Sequence, residues 1–275
     1  LQLTDLGAAD LLGANLEGAD ARRACFCRAD LRGAHLNGLR AERADLSGAN
    51  LAGATAKHAK FAQANLANAV LIDADLWKAD FQGADIHDAD FGGANLEDAC
   101  LKGLELKLAR FVNVRFGGAD MRFCNLEEMQ LTAPDFHDAD LRNALLTGSW
   151  MPRANFLGAN LSNAGLADID WPKANLVDAD LRGASFHLGS SRNGLVGSPI
   201  ACEGSRTGFY TDDYNDQNVK PAEEIRKANL RGADLRGANI TGVDFYLVDL
   251  RDAQYTSDQA HHFRCCHAIL ENRVE

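Results

Sequence analysis

From Leu1 to Phe186 a large apolar residue returns at every fifth position, and a small one, most often alanine, stands two places before it. Counting Leu1, Leu6, Leu11 and onward to Phe186 gives 38 centre positions, of which 35 are Leu, Phe, Ile, Met or Trp; the exceptions are Ala21, Ala41 and Ala56. Of the 37 positions two residues earlier, Thr4 to Ala184, 28 are alanine. A helix face needs a spacing near 3.6 and a strand face alternates with a period of 2, so a strict five fits neither. A fixed beat sustained over so many turns is the mark of a repeat architecture.

The unit reads Ala, then Asp or Asn, then Leu or Phe, then two variable residues with Gly frequent in the second, as in Ala29-Asp30-Leu31-Arg32-Gly33 and Ala179-Asp180-Leu181-Arg182-Gly183. It resembles the pentapeptide-repeat family across residues 1–186 and again from Ile225 to Tyr255. The resemblance implies an all-β fold, a right-handed quadrilateral β-helix in which each pentapeptide forms one side and four make a coil of 20 residues. In such a solenoid the centre residue and the residue two before it point to the axis, and one is bulky only where the other is small. Coils stacked about 4.8 Å apart give roughly nine turns and a rod about 45 Å long. The Asp or Asn before each centre suits a tight turn, because its short side chain bonds nearby backbone amides. Neighbouring acids such as Asp73 and Asp75, or Asp88 and Asp90, are therefore expected to be architecture rather than a catalytic pair.

Between Leu104 and Ser149 the small position loosens to Leu104, Val114, Cys124, Met129, Pro134 and Ser149, which reads as sequence drift, the alternative being a shape feature in which bulk at both inward positions widens or bends the rod. After Phe186 the beat stops. Residues 187–226 form an insertion rich in Gly, Ser and Asp, expected to be ordered and to dock through Phe209, Tyr210 and Tyr214. Gly194-Leu195-Val196-Gly197 within it lacks the lysine and the context of a phosphate loop. The beat resumes in a new register over 227–255, which is expected to stack on the main run 1–186. The tail, 256–275, reads as a capping α-helix: Thr256-Ser257-Asp258-Gln259 matches a capping box, with Ala260, Phe263, Ile269 and Leu270 as its apolar side. Its expected role is to close the open end of the solenoid. His262 and Cys266 lie four apart, but no second ligand pair of matching spacing accompanies them, so no metal and no cofactor is expected.

A period of 20 sorts the outward residues onto four faces. The face centred on 21 to 181 carries Arg22, Arg23, Arg40, Arg43, Lys60, Lys102, Arg122, Arg142 and Arg182 against six acids, a net of +3. The face centred on 6 to 186 is net -6, and the face opposite it is net -4. The fourth, centred on 11 to 171, is nearly balanced and shows apolar residues at Val70, Ile72, Val112 and Trp150, a stripe of the kind that marks a contact site. Trp77 also points outward, while Trp171 falls at a centre and should be core.

The 28 basic and 39 acidic residues leave a net charge of -11, which with alternating signs opposes direct binding to nucleic acid. No apolar run is long enough to cross a membrane. Seven cysteines, an odd number without paired spacing, favour free thiols and a reducing, intracellular setting, with Cys25 and Cys27 as surface thiols badly placed to bridge. The chain opens at Leu1 in mid-repeat, so a removed leader and a lumenal location stay open. No nucleophile, base and orienting group converge, and no enzyme activity is expected. The expectation is a scaffold or accessory subunit that binds a protein partner. The family resemblance adds an alternative, an acidic DNA mimic that protects a type II topoisomerase such as gyrase, with dimerisation through the C-terminal helix.

Overall fold

The computed structural model describes residues 1–186 and 228–271. The chain divides into two compact units, each a right-handed quadrilateral β-helix. The first comprises Leu1–Asn125 and Pro134–Asp140, the second Leu126–Ala133 and the chain from Leu141 on.

In the first unit every side is too short for a conventional strand, and neighbouring coils are joined by single parallel bridges between residues 20 apart, from Asp5 with Cys25 to Asp120 with Asp140. Each bridging residue precedes a centre, and the left-handed turn residue adds a bond of its own to the next coil, as Ala8 N–H does to the Cys27 carbonyl at 2.8 Å. Cys25 N–H donates to the Thr4 carbonyl at 2.9 Å and Leu6 N–H to the Cys25 carbonyl at 2.7 Å, a pattern repeated coil after coil. The corner between two sides is a tight turn in which the N–H three residues after a centre returns to the centre's carbonyl, as from Ala29 to Phe26 at 2.9 Å. The second turn residue has φ near +60° throughout, which explains Gly, Asn and Asp there.

The expected inward pairing is borne out. Ala24 and Phe26, Ala29 and Leu31, and Ala59 and Phe61 are all buried. At one of the three small centres the pair is inverted: Leu39 fills the section that Ala41 leaves, and both are buried, whereas Ala21 and Ala56 are paired with Ala19 and Ala54. Phenylalanines stack along the axis, Phe61 on Phe81 with centroids 5.1 Å apart, Phe91 on Phe111 at 5.0 Å and Phe116 on Phe136 at 5.2 Å. Each fully buried Leu or Phe contributes about 1.5–3 kcal/mol by removal from water.

The loosened stretch is more than drift. Leu104 and Leu106 are both buried, and the chain answers with a 3-10 turn at Leu106–Leu108. Elsewhere the left-handed turn residue donates to the carbonyl 19 residues on, as Lys78 does to Glu97; Asp88 donates instead to Leu108. The Cys124 thiol sits inside and donates to the Leu101 carbonyl at 2.9 Å.

In the second unit Ser149 is fully buried, and its hydroxyl accepts the indole N–H of Trp171 at 2.9 Å. Trp171 is core as expected and stacks on Phe156 at 4.6 Å. After the insertion the ladder continues with a separation of 59 residues, Asp170 with Asn229 and Asp180 with Asn239, then returns to 20 with Asn229 and Asp249. Phe186 meets Phe245 at 5.1 Å. Helix α1, Ser257–Cys265, then closes this end. Its capping box forms as the sequence indicates, with Thr256 Oγ1 accepting from Gln259 N–H and Gln259 Oε1 accepting from Thr256 N–H. Gln259 Nε2 donates to the Leu235 and Ala238 carbonyls at 2.7 and 3.0 Å, satisfying backbone that the last coil leaves open. Phe263 caps the aromatic column on Phe245 at 4.7 Å. Ile269 and Leu270, expected on the helix, lie beyond it; Ile269 bridges to Asp249 and adds one more rung.

Candidate interaction surfaces

Two of the five repeat positions face the axis, so only the residue before the centre and the two turn residues after it meet solvent. The first of these is mostly committed to the wall. Asp30, Asp45, Asn50, Asn65 and Asp90 each accept the N–H two residues on, at 2.9–3.2 Å. Asp75 and Asp90 are held in this way: Asp90 accepts from Gly92 N–H and meets Arg110 Nη1 at 3.2 Å, and Asp75 accepts from Trp77 N–H at 3.4 Å and meets Lys57 Nζ at 3.1 Å, while Asp73 and Asp88 stand at the left-handed turn position.

In the first unit Ile72 and Val112, 37% and 46% exposed, stand two coils apart, with half-buried Val70 on the coil of Ile72 and Gly92 on the coil between. A side chain at Gly92 would meet Asp90 Oδ1 at 3.2 Å, Ile72 Cγ1 at 3.9 Å and the Val112 carbonyl at 4.0 Å. Trp150, on the second unit, is 40% exposed and bridges Gln130 and Asp170 through its backbone. Phe209, Tyr210 and Tyr214 lie outside the described residues, as does the whole insertion 187–226.

The basic face is built differently from a ladder of free cations. Arg22 lies on Asp20, with Nε and Nη2 at 2.9 and 2.7 Å from its two carboxylate oxygens; Arg122 does the same on Asp120 at 2.7 and 2.6 Å, and Arg182 on Asp180. The residues on either side of a centre project outward side by side, and the guanidinium fork spans that gap to a carboxylate. Arg40 approaches Asp20 at 3.7 Å, Lys60 approaches Asp80 at 3.7 Å, and Arg43 donates to Gln63 Oε1 at 2.8 Å. Arg142 and Arg23 are exposed at the same register. The guanidinium beside each holds Asp30, Asp120 and Asp180 below the ordinary carboxylate range. At the first coils Gln2, Leu3, Arg22, Arg23, Glu42 and Arg43 line a shallow depression in which Glu42 Oε2 is buried without a hydrogen-bond partner.

Trp77 is half-buried on the neighbouring face. Its indole N–H donates to Asp98 at 3.0 Å, His58 meets its ring edge-on at 4.9 Å, and Lys78 Nζ lies 4.2 Å from its centroid. Among the apolar exposures that escaped the sequence reading are Leu3, Leu12, Phe123, Leu145 and Leu157, at 74%, 61%, 56%, 40% and 41%. Phe123 carried a signal in its register, since it stands at the left-handed turn position that glycine dominates, with φ +60°.

The outward side of α1 is polar, with Ser257, Asp258, His261 and Arg264 exposed. His262 Nε2 is 2.7 Å from the Val243 carbonyl and 3.6 Å from Cys266 Sγ, so this histidine serves the cap. Cys25 and Cys27 are free and half-buried, and the Cys27 N–H points to Cys25 Sγ at 3.5 Å. Their shared hydrogen bond raises the Cys25 pKa, while burial pushes the Cys124 thiol up to about 12. Asp135 beside it raises the His137 pKa. Among the described residues no helix is long and apolar enough to cross a membrane.

No curated protein matches the chain in sequence. Among solved structures it is similar to HetL, a pentapeptide repeat protein involved in heterocyst differentiation regulation in the cyanobacterium Nostoc, at 28% identity over 67% of this chain and 86% of that one, TM-score 0.33. It is also similar to QnrB1, a plasmid-mediated fluoroquinolone resistance protein, at 16% identity over 95% and 92%, TM-score 0.33. A third is a pentapeptide repeat protein of the Arabidopsis thaliana thylakoid lumen, at 27% over 46% and 66%, TM-score 0.17. The family model for pentapeptide repeats matches residues 1–38, 24–63, 64–103, 109–148, 140–170, 159–187 and 225–253. With that match spanning most of its length, and with the five-residue beat closing into four-sided coils, the chain belongs to the pentapeptide-repeat family.

Proposed function

We propose that the protein is a non-catalytic interaction protein, an accessory or structural subunit that presents its outer wall to a protein partner. The observation that carries this reading is the group of Val70, Ile72 and Val112, apolar side chains that meet solvent on one coil and again two coils on, with Gly92 on the coil between. Apolar exposure of this kind, ringed by committed ion pairs such as Asp90 with Arg110, fits a contact with a dry centre and a polar rim. Trp150 supplies a second anchor on the other unit, of the residue type enriched at interface centres. Catalysis finds little support: the inward positions are filled by apolar side chains, and the carboxylates described above are bonded to their own turns.

A second reading, mimicry of duplex DNA toward a type II topoisomerase, draws on the paired arginines. Because Arg22, Arg122 and Arg182 lie on their own aspartates, the basic face offers closed ion pairs rather than free cations to a positively charged groove. The test for both is a crosslinked pull-down from native extract with the parent chain and with Ile72→Lys/Val112→Lys. A fixed set of subunits lost with the variant supports the apolar contact. The same set retained by the variant removes this group from the interface. Recovery of gyrase subunits, followed by inhibition of supercoiling at micromolar protein, turns the reading to mimicry.

A further inference from the structure

Where the residue before a centre is Asp or Asn it supplies a side-chain oxygen to the N–H two residues on, and at Cys25 and Cys100 a sulfur takes that place. Asp5, Cys25 and Asp45 occupy this position on three successive coils, joined through the bridges Asp5 with Cys25 and Cys25 with Asp45. Asp45 Oδ1 accepts the Ser47 N–H at 3.0 Å, and Asp5 Oδ1 accepts that of Gly7 at 2.9 Å. Cys25 Sγ receives the Cys27 N–H at 3.5 Å, a weaker bond to a softer atom, and its other contact is the hydrogen bond it shares with the Cys27 thiol. Cys27 follows on the same outward side. One ligand atom each from Cys25, Cys27 and Asp45 then falls within 4.8 Å of the others, all three residues half-buried.

The coil before leaves room beside them. Gly7 is not in the left-handed region, so its backbone does not demand glycine; a side chain there would bring Cβ to 3.2 Å from Cys27 Sγ and 3.7 Å from Cys25 Sγ. The missing Cβ opens a gap bounded by two sulfurs and, at 3.1 Å from the same point, by Asp5 Oδ1.

We propose that Cys25, Cys27 and Asp45 form a binding site for a thiophilic divalent cation of the zinc class, with Asp5 or water in the fourth position. Two sulfurs and a carboxylate oxygen are the donor set that such an ion selects over magnesium or calcium. Sulfurs 2.3 Å from a tetrahedral ion stand about 3.8 Å apart, so the two sulfurs, already within 4.8 Å, need draw in by no more than about 1 Å. Binding is balanced without an oxidant: the cation replaces the two thiol protons, which leave to solvent, and two thiolates with one carboxylate remain on the ion. The wall itself does not change, because the bridges that hold the three residues run through the backbone.

The full chain, freed of metal and kept reduced with a phosphine, is titrated with Co²⁺ and the thiolate-to-cobalt charge-transfer absorption is followed, then Zn²⁺ is added to displace it. The expected result is saturation at one equivalent, with intensity for two thiolates, loss of the band in Cys25→Ser and in Cys27→Ser, and retention in Cys265→Ser/Cys266→Ser. Asp45→Asn should weaken binding by more than about 100-fold, beyond the roughly 10–100-fold that the loss of a supporting group costs. The proposal is overturned if stoichiometric Co²⁺ gives no such band, or if the band survives in the Cys25→Ser/Cys27→Ser double variant, which would place the ion on other thiols of the chain.

Discussion

The repeat consensus and the structure disagree about Ser149→Ala, and the disagreement is measurable. Alanine is the commonest residue at this inward position, so a consensus argument expects the change to stabilise. In the folded chain Ser149 and Trp171 are both 0% exposed, and the hydroxyl is the partner of the indole N–H at 2.9 Å. Alanine would strand that donor in an apolar section, at a cost of about 1–3 kcal/mol. For a chain of this size that lowers the melting temperature by about 2–4 °C per kcal/mol. Trp171→Phe removes the donor instead, keeps a ring against Phe156, and costs about 1–3 kcal/mol through the volume lost. The double variant has neither half of the bond, so it should be less destabilised than the two single changes summed, by at least about 1 kcal/mol. Thermal unfolding followed by far-UV circular dichroism on the four proteins closes the cycle. A Ser149→Ala protein as stable as the parent, or strict additivity, would refute the reasoning.

Three further outcomes follow from the wall. Gly93→Ala should cost more than Gly33→Ala in the same melting assay: both carry φ above +60°, worth about 1–2 kcal/mol to an L-residue, but a Cβ at Gly93 also collides with the Asp73 carboxylate while that at Gly33 meets nothing. Phe123→Gly should stabilise by up to about 1 kcal/mol, since it relieves a left-handed phenylalanine that is more than half exposed; a lower melting point would show that its contact with Lys102 matters more. Asp30, Asp120 and Asp180 have folded pKa values depressed by their arginines, so their stabilisation is fully present above the unfolded value near 4 and fades as pH falls below it; Asp120→Asn should flatten the urea midpoint between pH 5 and 2. His137 runs the other way, raised by Asp135, so its contribution is complete below about pH 6.5 and is lost as pH rises through the folded value.

The fold was legible because one rule, bulk against smallness every five residues, sets both the axis and the corner, and no competing period interrupts it before Phe186. The capping box was legible for the same local reason: Thr256 and Gln259 need only each other. What the sequence hid is cross-coil chemistry. Ser149 looks like a weak alanine until Trp171, 22 residues on, is seen above it. Arg22 and Arg122 look like a cationic ladder because a tally by face counts charges without their orientation; the geometry that joins Arg22 to Asp20 belongs to the turn. Cys25 and Cys27 look like scattered thiols because the ligand that completes them, Asp45, arrives one coil later.

These particulars locate where a chain of this kind can carry information about a partner. Of five positions two are closed by packing, and the left-handed second turn residue strains any side chain but those of Gly, Asn or Asp. The residue before the centre is closed chemically: replacing Asp or Asn there forfeits a bond to the turn worth about 0.5–1.5 kcal/mol. Departures at that position therefore carry a cost: Val70, Leu145 and Trp150 set apolar surface there, Cys25 and Cys100 set sulfur there, and His35, Arg40, Lys60, Arg110 and Arg115 set a basic side chain there. The first turn residue is unconstrained by comparison, and Ile72 and Val112 stand there. A departure that costs stability next to an unconstrained position that agrees with it, Val70 beside Ile72 or Cys25 beside Cys27, is a stronger pointer to a binding site than exposure alone, and it selects the same two surfaces that the pull-down and the cobalt titration address.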